Sequence, residues 1–396
     1  MNKSFIKRDD YMNQIIPYIW KNLIKVFIWQ RRVWKSYLLY QVIDYLENNW
    51  VKKEEIIYIN KENLKWDYIK NYNDLYEKVK DFNYIFIDEI QDIELWEKAI
   101  RSLQSEWWKD IYITGSNSNL LSWELSSFLS WRYISFNIYP LNYKEFLIFH
   151  NLKKSEESFY KYIEFGWLPY LKNLELKTEI INSYLSDVVD TIILKDIISR
   201  FNVRNIDFFK KLLIYLSREI WSIFSAKNIS DYLISQKTKI STNVVLNYLS
   251  YSKQALFLNE ISRYDIKWKK IFELRQKYFF TDIWLRNAIL WWFDSLYMWG
   301  VLENVVYINL VSKWWNVKIW EIYKKEVDFI AEKNGKIIYI QVSYILESQS
   351  TIDREFWVFE LIKDNWPKYV VTLDRKAGGF INGIEHKNII DFIYEL

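Results

Sequence analysis

The sequence predicts an α/β fold in which two α/β parts flank a helical stretch, and three observations carry that prediction. Short apolar segments at 26–28, 56–60, 84–88 and 110–116 alternate with helical stretches, the pattern of a largely parallel sheet with helices on both faces. Residues 155–265 place apolar side chains at three- and four-residue spacing, a helical period. From 278 strand-like runs return, near 305–311, 317–323, 326–331, 337–343 and 369–373. The 396 residues are enough for two or three domains, and the expected division is 1–150, 151–275 and 276–396.

Residues 1–25 read as a helical lead-in. The next stretch, VFIWQRRVWKS (26–36), runs from an apolar strand through a short polar loop to Lys35 and Ser36 at the start of a helix. With glycine at 29 and 34 it would read G-x-x-x-x-G-K-S, the Walker A phosphate-binding loop, or P-loop. Such a loop wraps backbone N–H groups around phosphates at a helix N-terminus. The cradle would be Trp29, Gln30, Arg31, Arg32, Val33, Trp34, Lys35 and Ser36, with Lys35 on the β- and γ-phosphates and Ser36 on Mg2+. Tryptophan at 29 or 34 demands a disfavoured backbone and intrudes on the phosphate space. The alternative is a lysine-serine helix start with no ligand.

The composition bears on that conflict. Glycine occurs 7 times and tryptophan 22 times, and together they approach the ordinary glycine share of about 7%. An AT-rich genome depletes glycine but cannot enrich tryptophan. A UGA codon read as glycine in the source organism, but translated as tryptophan, accounts for both. Trp-Trp pairs at 107–108, 291–292 and 314–315 fall between apolar segments, where Gly-Gly turns belong. Trp50 follows a helical pattern at a position that favours glycine. Trp96 and Trp366 have contexts that suit a genuine indole. The competing view is a truly tryptophan-rich chain.

Further along, YIFIDEIQDI is an apolar strand ending in Asp88 and Glu89. Behind a P-loop, Asp88 is placed to hold the magnesium shell and Glu89 to orient or deprotonate an attacking water. The strand DIYITGSNSNLL ends near Ser116 and Asn117, candidates to sense a γ-phosphate, with a plain turn as the alternative. Arg132 is a candidate arginine finger, or else a surface salt bridge. Residues 228–262 run helix, turn, helix and strand, the order of a winged helix. Lys237, Lys239, Lys253, Lys267, Lys269 and Lys270 suit phosphate contacts there, although lysine is abundant throughout the chain.

Other chemistry is excluded or disfavoured. No cysteine is present, so disulfides and thiol catalysis are ruled out. Only His150 and His386 occur, too few for a histidine-rich metal site. The net charge of +4 points to neither nucleic acid nor membrane. The N-terminus lacks the apolar core of a signal peptide, and the apolar stretch 283–311 is interrupted by Arg286, Asp294 and Glu303. The expected location is the cytoplasm.

The motifs IWQRRVWKS, FIDEIQD, ITGSNSNLL with LSWRY, YPLNYKEFL, FGWLPYL, KYFFTDIWLRN, LENVVYINL, KEVDFIA, IYIQVSY and DNWPKYVVTLD occur in order along the chain. In them the chain resembles the prokaryotic AAA-type ATPases that carry a C-terminal domain of unknown function. The departures are mostly Trp29, Trp34, Trp131, Trp167 and Trp284, where the family pattern has glycine. The resemblance implies a P-loop NTPase sheet, a helical region with a winged helix, and a C-terminal α/β domain of restriction-endonuclease-like fold. It implies ATP and Mg2+ as cofactors and duplex DNA or a protein as partner, with homo-oligomer formation open. Nucleases of that fold hold metal with a helix acid, a strand aspartate and an acidic-x-Lys motif. Glu303 and Asp328 are in register with the first two, but the third reads Gln341-Val342-Ser343, so cleavage is not expected.

The leading expectation is an ATP-hydrolysing switch. Two alternatives stand beside it: a DNA-binding module whose conformation nucleotide sets, and a pseudoenzyme, should Trp29 and Trp34 be genuine.

Overall fold

The computed structural model describes residues 7–28, 35–106, 108–115, 132–219, 226–235, 240–261, 263–264, 277–290, 298–322, 325–375 and 377–396. The chain divides into two compact units, 1–138 with 254–256, and 139–253 with 257–396.

The first unit holds strands β1 (Ile24–Ile28), β2 (Ile56–Asn60), β3 (Tyr84–Asp88), β4 (Asp110–Gly115) and β5 (Tyr133–Asn137). They form one parallel sheet in the order β2-β3-β4-β1-β5. Every residue of β1 and β4 is buried, Lys25 and Asp110 as an ion pair between them. The helices are α1 (Asp9–Ile15), α2 (Lys35–Asn48), α3 (Tyr72–Val79) and α4 (Trp96–Ser105). Asn71 caps α3 by accepting the N–H groups of Asn73 and Asp74, while the Asp74 side chain answers the Asn71 N–H. Trp96 is buried in the core, as its apolar context suggested.

The second unit begins with α5 (Tyr143–His150), α6 (Glu156–Phe165), α7 (Thr178–Thr191), α8 (Ile206–Arg218), α9 (Ala226–Ser235) and α10 (Thr242–Gln254). Strand β6 (Leu258–Ile261), the short β7 (Arg263–Tyr264) and β8 (Lys277–Phe280) follow, and β6 pairs antiparallel with β8. After them come α11 (Ile283–Leu290) and α12 (Met298–Ser312). Then follow β9 (Asn316–Ile322), β10 (Lys325–Lys333), β11 (Lys336–Val342), α13 (Gln349–Trp357), β12 (Lys368–Thr372), β13 (Phe380–Ile381), β14 (Ile384–Asn388) and α14 (Ile389–Glu395). The second sheet is mixed, in the order β13-β14-β12-β11-β10-β9-β7.

One expected strand is a helix. Residues 305–311 lie inside α12, whose described side chains are almost all buried. A helix apolar all round presents a continuous apolar run, and periodicity alone cannot tell that run from a buried strand.

Among the described residues, four tryptophans have a left-handed backbone: Trp20 (φ 61°), Trp50 (φ 71°), Trp108 (φ 82°) and Trp314 (φ 61°). Two of them follow helix ends. After α2, the Val51 N–H reaches Leu46 O at 3.1 Å across Trp50. After α12, the Trp315 N–H reaches Leu310 O at 3.1 Å across Trp314. Both are Schellman closures with tryptophan at the position that glycine normally takes.

His150, at the end of α5, packs against Phe146 with ring centroids 4.5 Å apart, and its Nε2 has no partner among the described residues. Burial, with a smaller contribution from Lys172, pushes its pKa down to about 4. A folded pKa below the free value of about 6.5 means that the unfolded state takes up the proton first. Stability contributed here is therefore lost as pH falls from the free value toward 4. In thermal unfolding followed across that window, a His150→Phe chain is expected to lose less of its melting temperature than the unaltered chain.

Candidate nucleotide site

Parallel sheets of this kind bind ligands at the carboxyl ends of their strands. Here that edge is formed by Ile28, Asn60, Asp88, Gly115 and Asn137, and α2 starts seven residues beyond the end of β1. Asp88 is the last residue of β3 and only 2% exposed. A buried carboxylate needs donors, and three hydroxyls supply them. Ser36 Oγ, in the first turn of α2, donates to Asp88 Oδ2. Thr114 Oγ1, from β4, donates to Asp88 Oδ1. Tyr58 OH, from β2, donates to Asp88 Oδ2 at 3.0 Å. Burial, reinforced by the Asp88 charge, raises the Tyr58 pKa far above the usual phenol value, so the phenol stays a donor.

Glu89 follows with a left-handed backbone (φ 56°, ψ 54°). Strain of this kind in a glutamate persists where the surroundings hold it, and it clusters at functional sites. The Glu89 N–H donates to Thr114 Oγ1 at 3.1 Å, and Gln91 Nε2 donates to Glu89 Oε2 at 2.5 Å. Thr114 thus ties the two acidic residues together.

The structure brings Ser36, Asp88 and Glu89 to one edge of the sheet. Lys35 opens α2 at the same edge. Residues 29–34, Ser116 and Asn117 lie outside the described residues. Arg132 is elsewhere: it precedes β5, and its carbonyl accepts the Ile24 N–H at 2.9 Å, which puts it at the amino ends of β1 and β5. Its side chain is exposed there, at the opposite end of the sheet from Asp88. Thr114 and Tyr58 went unnoticed in the sequence. The only available signal was a hydroxyl one or two residues short of the end of an apolar strand.

Residues 21–147 match an AAA domain, and residues 156–296 match a domain of unknown function, DUF8612. An uncharacterised protein of Haemophilus influenzae is 32% identical over 409 residues, covering 100% of each chain. The chain is a member of that protein's family, one built on an AAA domain. An uncharacterised protein of Methanocaldococcus jannaschii is 32% identical over 386 residues, covering 91% of this chain and 83% of its own. A solved Walker-type ATPase of Pyrococcus abyssi is similar over 73% of this chain and 97% of its own, at 15% identity and a TM-score of 0.45. Among the described residues no helix is long and apolar enough to cross a membrane. None of their His, Asp and Glu side chains group in threes suited to a metal ion.

Proposed function

We propose that this AAA-domain protein is a Mg2+-dependent ATP-hydrolysing switch, coupled to a DNA- or protein-binding output in residues 139–396. The observation that carries the reading is the convergence of Ser36 on Asp88 at the carboxyl edge of a parallel sheet, at the start of a helix. In this reading Ser36 and Asp88 would hold the magnesium shell. The ion neutralises phosphate charge when bound. Lys35 would bind the β- and γ-phosphates, Glu89 would take the proton of an attacking water, and Thr114 would keep both acids in place. Arg132, at the far end of the sheet, would act only across a contact with a second copy.

Glycine at 29 and 34 belongs to the same proposal. It is supported by the left-handed backbones of Trp20, Trp50, Trp108 and Trp314. Close packing at Gly166 supports it too: a Cβ there would meet Trp284 Cβ at 2.3 Å. Trp167 and Trp284 are wholly buried, and their indole N–H groups have no acceptor among the described residues.

The winged-helix reading is supported by α9, α10 and the β6–β8 pair. Lys253 there is ion-paired with Glu260, while Lys237, Lys239, Lys267, Lys269 and Lys270 lie outside the described residues. The division at 150 and 275 is part of the proposal; within it the helical and C-terminal parts are two domains of one compact unit.

The test is ATP turnover by a Trp29→Gly, Trp34→Gly chain with and without duplex DNA. Turnover that Lys35→Ala abolishes is the expected result, and a rise with DNA would identify the output. Nucleotide binding without turnover, DNA present or not, would favour the binding module.

A further inference from the structure

Beyond the nucleotide site, the second unit buries an ion cluster. Lys277 opens β8, Glu303 is on α12 and Asp328 is on β10. The Lys277 ammonium lies 2.5 Å from Glu303 Oε2 and 3.9 Å from Asp328 Oδ1, and the three side chains are 1%, 1% and 5% exposed. Asp328 Oδ2 accepts the Val342 N–H at 2.8 Å. Gln341 Oε1 accepts the Asp328 N–H at 3.3 Å, and its Nε2 donates to Glu355 Oε2 at 3.0 Å. The other Glu355 oxygen is held by Arg354 at 2.6 and 2.9 Å.

Glu303, Asp328 and Gln341 are the residues that the nuclease resemblance aligns with a divalent-metal site, and they do not fit one. Such an ion needs several oxygen ligands carrying uncompensated negative charge, and room for water. Here one carboxylate is already paired with an ammonium, the other is tied to backbone, and the third position is an amide bonded on both ends.

We propose that the Lys277 ammonium takes the place of a divalent cation between Glu303 and Asp328, making this polar centre a closed structural ion cluster. Charge balance agrees. Burial works against the ammonium, but the Glu303, Asp328 and Glu326 carboxylates outweigh it and hold the Lys277 pKa above its usual value. Burial raises Glu303 to about 7, against the pull of Lys277. Burial and the Glu303 charge raise Asp328 well above the carboxylate range. An ammonium set between two buried carboxyl groups offsets their negative charge, which a buried cluster requires.

The test is a Mn2+ titration of the nucleotide-free full chain, read by the spin-resonance signal of free Mn2+. The unaltered chain is expected to take up no Mn2+ that Glu303→Gln removes. Lys277→Met should gain a Glu303-dependent ion, and adding Glu303→Gln should abolish it. Glu303-dependent uptake by the unaltered chain overturns the proposal, and so does a folded Lys277→Met chain that takes up none. If Lys277→Met does not fold, the unaltered and Glu303→Gln titrations decide alone: uptake that depends on Glu303 overturns it, and equal uptake supports it.

Discussion

In a chain with glycine at 29 and 34, Asp88→Asn is expected to lower ATP turnover by roughly a thousandfold and to raise the Mg2+ concentration needed for what remains. Asp88 concentrates the negative charge of the site's edge, and three hydroxyls from different elements hold it in place. Asparagine keeps the shape but loses the charge, and it offers donors to hydroxyls that are already donating. Glu89→Gln separates the two acids: turnover should fall by about 10²- to 10⁴-fold, the worth of a general base, with ATP binding retained. Tyr58→Phe removes one of three hydrogen bonds to Asp88 and should cost under about tenfold, because the Ser36 and Thr114 hydroxyls still hold the carboxylate. Steady-state rates at varied Mg2+, with nucleotide binding measured separately, check all three. Equal loss of binding in Glu89→Gln and Asp88→Asn would assign both acids to structure rather than chemistry.

How much of this was legible depended on whether a signal was local. Asp88 ends an apolar strand with Glu89 next to it, and Lys35 and Ser36 start a helix after a loop of P-loop length, so local signals pointed these residues to one edge. Thr114 and Tyr58 carry no motif. Their role depends on β4 lying between β1 and β3 and on β2 pairing in register with β3, which only the sheet order reveals. Arg132 shows the opposite limit. Its segment reads like a site residue, but parallel pairing of β5 with β1 carries it to the other end of the strands. In the C-terminal part, Glu303 and Asp328 stood out as acids, whereas Lys277, far upstream of Asp328 in sequence, showed nothing before the fold brought its ammonium between them. The helix over 305–311 was hidden because a fully buried helix and a buried strand have the same composition.

The second large effect runs against ordinary experience with tryptophan. Trp50→Gly and Trp108→Gly are each expected to stabilise the fold by about 1 kcal/mol, because a left-handed L-residue costs roughly 1–2 kcal/mol and glycine returns about 0.5–1 of that as backbone entropy. Little packing is lost in exchange, since the two side chains are 96% and 86% exposed. Trp20→Gly and Trp314→Gly should gain less. Trp20 is 52% exposed with its ring 6.3 Å from that of Tyr45, and Trp314 is half-buried. Trp96→Gly is the control: that indole is buried in the core of the first unit, and removing it should cost about 3–5 kcal/mol. Urea unfolding midpoints of the single variants separate the two groups. A chain of true tryptophans tuned to its own indoles would lose stability at every one of these positions. Gains at 50 and 108 beside a large loss at 96 would instead mark tryptophan as a stand-in for glycine where the backbone turns left-handed, and the same reasoning would then apply to 29 and 34. Loss at Trp50, where the Schellman closure leaves the side chain in open solvent, would remove the physical basis for a working phosphate loop.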